Sequence, residues 1–166
     1  YSGAGKTTLL RALLPRLRAA GLRVAVVKHA HHAFDIDLPG KDSYELRRAG
    51  AERVLVASSQ RWALVNENPI ETEPALANLA ALARSPGIDL VLVEGFRHER
   101  FPKIEVHRPA LGRPLLCAGD DSVVALASDV PLAPPRGLPW LDLNDLDGIT
   151  RFILDTTAAA RHGASP

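Results

Sequence analysis

The chain has 166 residues, 46% of them hydrophobic and 23% charged, which are the values of a globular protein long enough to bury its own core. A formal net charge of +1, with no basic stripe, argues against an electrostatic nucleic-acid binder. No apolar run approaches membrane-spanning length, and the single cysteine, Cys117, rules out an intrachain disulfide, so the expected setting is a reducing cytoplasm.

The first element is also the most informative. Ser2-Gly3-Ala4-Gly5-Lys6-Thr7-Thr8 runs straight into Leu9-Leu10-Arg11-Ala12-Leu13-Leu14, a pattern that reads as a phosphate-binding loop opening a helix. Small residues let backbone N–H groups turn inward on a phosphate, and the helix adds its unpaired N-terminal N–H groups. In that arrangement Lys6 reaches the outer phosphates, Thr7 presents its hydroxyl to magnesium and Thr8 donates to a phosphate oxygen. Ser2, Gly3, Ala4 and Gly5 form the cradle. The first glycine of the eight-residue pattern and the strand that feeds it would both fall before Tyr1, so residues are expected upstream in the natural protein. The helix should run to about Ala20 with Leu9, Leu10, Leu13, Leu14 and Leu17 inward, a kink at Pro15, and Gly21 as its stop.

Val24-Ala25-Val26-Val27 is a wholly apolar run, the signature of a strand buried on both faces of a parallel sheet. The polar segment from Lys28 to Ser43 begins at its carboxyl end, the edge where open α/β sheets bind ligands. It is a candidate switch or substrate loop, with Lys28, His29, His31, Asp35, Asp37 and Lys41 as its chemically active members. The close-set histidines also suggest a metal. Their spacing is not helical and no cysteine accompanies them, while Asp35 and Asp37 favour hard ions or a phosphate network; a plain solvated loop is the alternative.

Ser43 is expected to cap a short helix through Leu46 to Ala49, with Arg47 and Arg48 on its exposed side and Gly50 closing it. Residues 53–58 and 62–65 read as two strands joined by a tight link, an antiparallel hairpin on an otherwise parallel fold. Glu73-Pro74 should open the next helix, with Leu76, Leu79, Ala80, Leu82 and Ala83 buried.

Asp89-Leu90-Val91-Leu92-Val93-Glu94-Gly95-Phe96 resembles a Walker B strand with Glu in place of Asp. A carboxylate at that strand end, facing the phosphate loop, backs the magnesium shell and orients water. Glu94 and Lys6 are therefore the candidate catalytic residues, and Thr7 and Glu94 the candidate metal pair. Arg97 follows on the same edge, a candidate phosphate contact. Residues 103–107 and 123–127 are further strands. Asp129 follows the later one, where a carboxylate can accept N1–H and N2–H from guanine, although no N-K-x-D surrounds it. Cys117 is expected in the core. After a proline-rich link, Asn144 or Asp145 should cap a last helix that buries Leu146, Ile149, Phe152 and Ile153, and residues 158–166 are expected to fray. The fold class that follows is α/β: a P-loop NTPase in one domain, 1–157, with helices on both faces of a mostly parallel sheet.

The loop at 2–8 together with Val27-Lys28-His29, Asp37-Leu38-Pro39-Gly40-Lys41-Asp42-Ser43, Ala49-Gly50-Ala51 and Val93-Glu94-Gly95-Phe96-Arg97 resembles the MobB family, molybdopterin-guanine dinucleotide biosynthesis protein B. The match spans roughly residues 1–152, and the middle motif is not shared by P-loop proteins generally. The resemblance implies a GTP-binding, Mg2+-dependent homodimer of feeble GTPase activity. Such a protein is an adaptor to the MobA-like nucleotidyltransferase that attaches GMP to molybdopterin, with molybdopterin itself a further candidate ligand. The family's Walker A role falls on Gly5, Lys6, Thr7 and Thr8, and its Walker B role on Glu94. A P-loop small-molecule kinase is the alternative, distinguished by an acceptor pocket and an arginine-bearing lid helix; a binding module without hydrolysis is the third reading.

Overall fold

The computed structural model describes residues 1–30, 34–68, 70 and 72–163, with side chains through residue 160. In chain order it contains α1 (Lys6–Ala19), β1 (Val24–Lys28), α2 (Asp42–Arg48), β2 (Arg53–Ala57), β3 (Trp62–Asn66), α3 (Leu76–Ala83) and β4 (Leu90–Glu94). These are followed by β5 (Lys103–His107), β6 (Val123–Ser128), β7 (Trp140–Asp142) and α4 (Leu146–Gly163). The chain forms two compact units, one comprising Tyr1–His29 and Leu76–Pro166, the other Ala30–Ala75.

In the first unit β1 and β4 pair in parallel from Val24↔Leu90 to Lys28↔Glu94, and β5, β6 and β7 form a second parallel ladder in that order. The first ladder ends at Lys28 and Glu94, and the second at the residues after His107, Ser128 and Asp142, the candidate Asp129 among them. The element buried as a central strand is β6, flanked on both sides. β1 is less enclosed than its apolar sequence predicts: among the described residues it pairs with β4 alone, and Val26 stays 44% exposed.

α1 forms as the leucine spacing requires and continues through Pro15 as one helix. Leu13 and Leu17 are buried with Ile149 and Ile153 of α4, and Val24, Leu90, Leu92 and Ile104 pack around them. Each such fully buried side chain stabilises the fold by about 1.5–3 kcal/mol. Gly21 ends the helix at φ 86°: its N–H donates to Arg18 O and that of Leu22 to Leu17 O, the paired bonds of a Schellman motif. Of the two candidate caps for α4, Asp145 is the one used, accepting the Gly148 N–H at 2.8 Å. β7 was not legible in the sequence. It is three residues long, behind a run of prolines that reads as a link.

α3 begins at Leu76 rather than at Pro74, since the fixed φ of proline suits an extended approach as well as a first turn. Leu76 is its buried anchor, and Leu82, predicted inward, is exposed because it falls off the 76, 79/80, 83 stripe. Cys117 is buried as expected, in a second cluster with Val123 and Leu126. Burial first, and then the neighbouring Glu105 carboxylate, push its thiol up to about 11. Glu105 is itself buried and accepts the N–H groups of Leu116 and Cys117, each at 2.8 Å.

In the second unit β2 and β3 form the expected antiparallel hairpin, with Leu55 opposite Leu64 and Ala57 opposite Trp62. α2 starts at Asp42, two residues before the start a Ser43 cap implies, and Ser43 does not cap it: the Ser43 hydroxyl donates to Asp37 Oδ1 at 2.9 Å. Arg47, read as solvated, points inward instead, its side chain 9% exposed. It donates to both Asp35 oxygens, at 2.9 and 3.0 Å, and to Glu67, and it lies 3.4 Å from Asp37. One guanidinium thus hydrogen-bonds Asp35 and Glu67 on both flanking segments and offsets the charge of Asp37, whose Oδ2 faces Arg47 Nε without a hydrogen bond, a geometry Arg48 cannot reach one residue on.

The Lys103–Asp120 pair gives the fold a pH signature. The Lys103 ammonium at 2.6 Å, then the Ser122 hydroxyl, hold the Asp120 carboxyl down to about 2 against an ordinary 3.8. A lowered folded-state value means the stabilisation is complete above pH 4 and lost as pH falls from there towards 2. Chemical denaturation of wild type and Asp120→Asn should therefore show a stability difference that is constant from pH 5 to 7 and shrinks below pH 4.

Candidate functional site

The loop ahead of α1 has the backbone geometry a phosphate cradle needs. Gly3 and Gly5 adopt φ of 78° and 93°, and Gly5 is the left-handed residue from which the helix starts. At that start the N–H groups of Lys6, Thr7 and Thr8 have no acceptor within the helix, which leaves them for an anion. Three carbonyl oxygens at the loop are tied elsewhere. Tyr1 O accepts the Lys6 ammonium at 2.6 Å, Ala4 O accepts Arg108 Nε at 3.1 Å, and Gly5 O accepts the Leu9 N–H at 2.9 Å.

Glu94 closes the other side. Thr7 Oγ1 donates to its Oε1 at 2.6 Å, a contact between residues 87 apart in sequence, and Lys28 Nζ lies 3.8 Å from its Oε2. The parallel register that sets Lys28 beside Glu94 delivers both groups to one edge. A hydroxyl and a carboxylate oxygen so placed are hard donors that fit Mg2+, whose remaining positions are ordinarily filled by water and phosphate oxygens. Among the described residues no group of three or more His, Cys, Asp or Glu side chains could hold a metal ion. His31 lies outside the described residues.

The turn after Glu94 explains the glycine beside it. Gly95 has φ 100° and Phe96 φ 51°, two left-handed residues in succession. A Cβ on Gly95 would lie 2.5 Å from His29 Cβ. Phe96 is buried and packs its ring 4.8 Å from that of His29, and the His29 N–H donates to Glu94 O at 2.8 Å. His29 thus takes part in fixing the strand end that carries Glu94.

The predicted residues separate into two groups. Lys6, Thr7, Glu94 and Lys28 come together, with His29 behind them. Arg97 directs its Nε to His98 Nε2 at 2.9 Å, and its carbonyl accepts the Lys103 ammonium at 2.8 Å. Asp35, Asp37 and Lys41 belong to the second unit, where the two aspartates serve Arg47 and Lys41 precedes α2. Asp35 is held below its ordinary value by the Asp37 backbone N–H and then by Arg47. These aspartates are therefore partners in an internal network. Asp129 accepts Arg108 Nη1 at 2.6 Å. Arg108 itself escaped the sequence reading, because it is an isolated basic residue whose partners lie 104 and 21 positions away.

A glycine loop opening a helix, with a carboxylate at the end of a parallel strand against its threonine, defines a P-loop nucleotide-binding protein of the α/β class. Residues 1–129 match the family model described as Molybdopterin guanine dinucleotide synthesis protein B, MobB, and the chain belongs to that family. It is 50% identical over 156 residues to the molybdopterin-guanine dinucleotide biosynthesis adapter protein of Escherichia coli (strain K12), covering 93% of this chain and 88% of that protein. The protein of the same name from Haemophilus influenzae is 44% identical over 153 residues, covering 92% and 83%. The crystal structure of a MobB protein homolog from Bacillus stearothermophilus superposes with a TM-score of 0.69 at 25% identity, covering 96% of this chain and 94% of that one.

Gly95→Ala tests the strand-end turn. The added Cβ meets His29 in a backbone conformation L-residues avoid, so the variant should lose about 1–3 kcal/mol of stability in denaturant titration. His29→Gly, which removes the Cβ that the added methyl meets without changing φ at residue 95, should restore only part of it in the double variant.

Proposed function

We propose that this protein is a GTP-binding adaptor in molybdopterin guanine dinucleotide biosynthesis, assisting a MobA-like nucleotidyltransferase that attaches GMP to molybdopterin. The observation that carries the nucleotide part is the 2.6 Å contact between Thr7 and Glu94, which puts a metal-binding hydroxyl and a carboxylate together at the mouth of the phosphate loop. Thr7 and Glu94 would hold a Mg2+, which would supply charge neutralisation at the phosphates. Lys6 exchanges its bond to Tyr1 O for the outer phosphates, the loop N–H groups orient them, and Glu94 orients a water. The adaptor part rests on membership of the family and on the similarity to the two adapter proteins.

Hydrolysis in this reading is slow. Arg97 is turned to His98, and no glutamine or arginine stands fixed beside Thr7 and Glu94 among the described residues. The reading includes a cytoplasmic homodimer. In its support, Leu55, Trp62 and Leu64 share one face of the β2–β3 hairpin at 62%, 69% and 40% exposure, an apolar surface of the kind that docks a second chain. No described helix is long and apolar enough to cross a membrane.

Lys6→Ala should abolish GTP binding in calorimetry while leaving the melting temperature within a few degrees of wild type, because the ammonium serves phosphate and not the core. Unchanged GTP affinity removes the assignment. Glu94→Gln should weaken binding several-fold in Mg2+ but little in EDTA, and should remove the residual phosphate release. Fast unaided turnover by the wild type contradicts the adaptor reading.

A further inference from the structure

Arg108, the residue after β5, bridges two parts of the first unit. Its Nε donates to Ala4 O in the phosphate loop and its Nη1 to Asp129 Oδ2 after β6. Its Nη2 lies where a Cβ added to Gly5 would touch it at 3.4 Å. One planar guanidinium thus joins the phosphate loop to the end of the β5–β6–β7 ladder, and its donors are fixed relative to one another, so the Ala4 carbonyl and the Asp129 carboxylate cannot shift independently.

The same side chain lines a cavity of about 290 Å3 with Ala4, Gly5 and Thr8 on one side and Leu143 and Asn144, the residues after β7, on the other. Three features of a nucleoside subsite meet there, a helix start with free N–H groups, small residues that leave room and a polar amide at Asn144, and Asp129, outside the lining itself, is joined to it by its bond to Arg108. The bond from Arg108 does not use up Asp129. A carboxylate offers about four acceptor sites, so both its oxygens still accept hydrogen bonds.

We propose that Arg108 is the positioning residue that makes this cavity selective for guanine: it holds the Asp129 carboxylate so that both oxygens meet guanine N1–H and N2–H, and it locks that carboxylate to the loop that grips the phosphates. The inference rests on the GTP-binding reading above and adds to it the residue that sets base choice. Adenine presents a lone pair at N1, where the fixed carboxylate has nothing to accept. Once Arg108 is gone, Asp129 is free to rotate away, and the discrimination goes with it.

The test is equilibrium affinity in Mg2+ for GTP, ITP and ATP, measured by competition on the full chain for wild type, Arg108→Ala, Arg108→Lys, Asp129→Asn and the double variant Arg108→Ala/Asp129→Asn. The wild type should favour GTP over ATP by roughly tenfold to a hundredfold, with ITP, which lacks the N2 donors, in between. Arg108→Ala should bring the GTP/ATP ratio to near one. Arg108→Lys, whose single ammonium cannot serve both acceptors, should give an intermediate ratio, and the double variant should be no less selective than the worse single one. An unchanged ratio in Arg108→Ala and Arg108→Lys, whatever the loss of absolute affinity, overturns the inference while leaving GTP binding intact. A wild type that binds no GTP, or prefers ATP, overturns the GTP reading itself.

Discussion

The hydrogen bond from Thr7 to Glu94 is the constraint on which the site depends. It joins the first turn of α1 to the end of β4, and it does so only because the β1–β4 register, the left-handed turn at Gly95 and Phe96, and the His29–Phe96 packing all fix the carboxylate in place. A phosphate loop must turn its N–H groups towards an anion, which obliges its carbonyls to face the protein. Each then needs a donor. For Tyr1 O, Ala4 O and Gly5 O the donors are Lys6, Arg108 and the Leu9 amide. The cradle is therefore held in shape before nucleotide arrives, and the cost of ordering it falls on folding rather than on binding.

The second unit solves a different electrostatic problem by related means. Its loop carries Asp35 and Asp37, and its hairpin ends in Glu67. Grouping three carboxylates would be unfavourable without a cation, and Arg47 supplies it with a guanidinium that reaches all three. The Asp-x-Asp spacing, the serine at 43 and the arginine at 47 thus form one hydrogen-bonded set, in which Ser43 serves Asp37 instead of capping α2. The candidate loop is, at these positions, tied to α2 and the hairpin by that set.

Much of the fold was legible because it is local. The Gly-Lys-Thr-Thr loop, the stop at Gly21, the hairpin at 53–66, the Glu-Gly strand end and the burial of Cys117 all follow from periodicity and turn chemistry within a few residues. Motifs named the members of the candidate site that the structure brings together: Lys6, Thr7 and Glu94. What escaped was decided by distant partners. Arg108 bonds across 104 residues to Ala4, and Arg47 turns inward because of Asp35 and Glu67, not because of its helix. Asp129 was singled out for its place after a late strand, which is correct as a position, while the cation that holds it could be seen only in three dimensions. Boundaries failed where proline fits two conformations, as at Pro74, and where a three-residue strand hides behind a proline run.

The setting of Cys117 has a practical side. Burial and the Glu105 carboxylate disfavour the thiolate that reacts with labels, and Val123 and Leu126 pack against Cys117, so the chain's only cysteine is expected to label slowly at pH 7. The wild-type sequence can therefore serve as its own blank for maleimide dyes and spin labels. A cysteine introduced at an exposed position such as Gln60 in the hairpin link reports alone, with no need to disturb the Glu105 network by first replacing the native thiol.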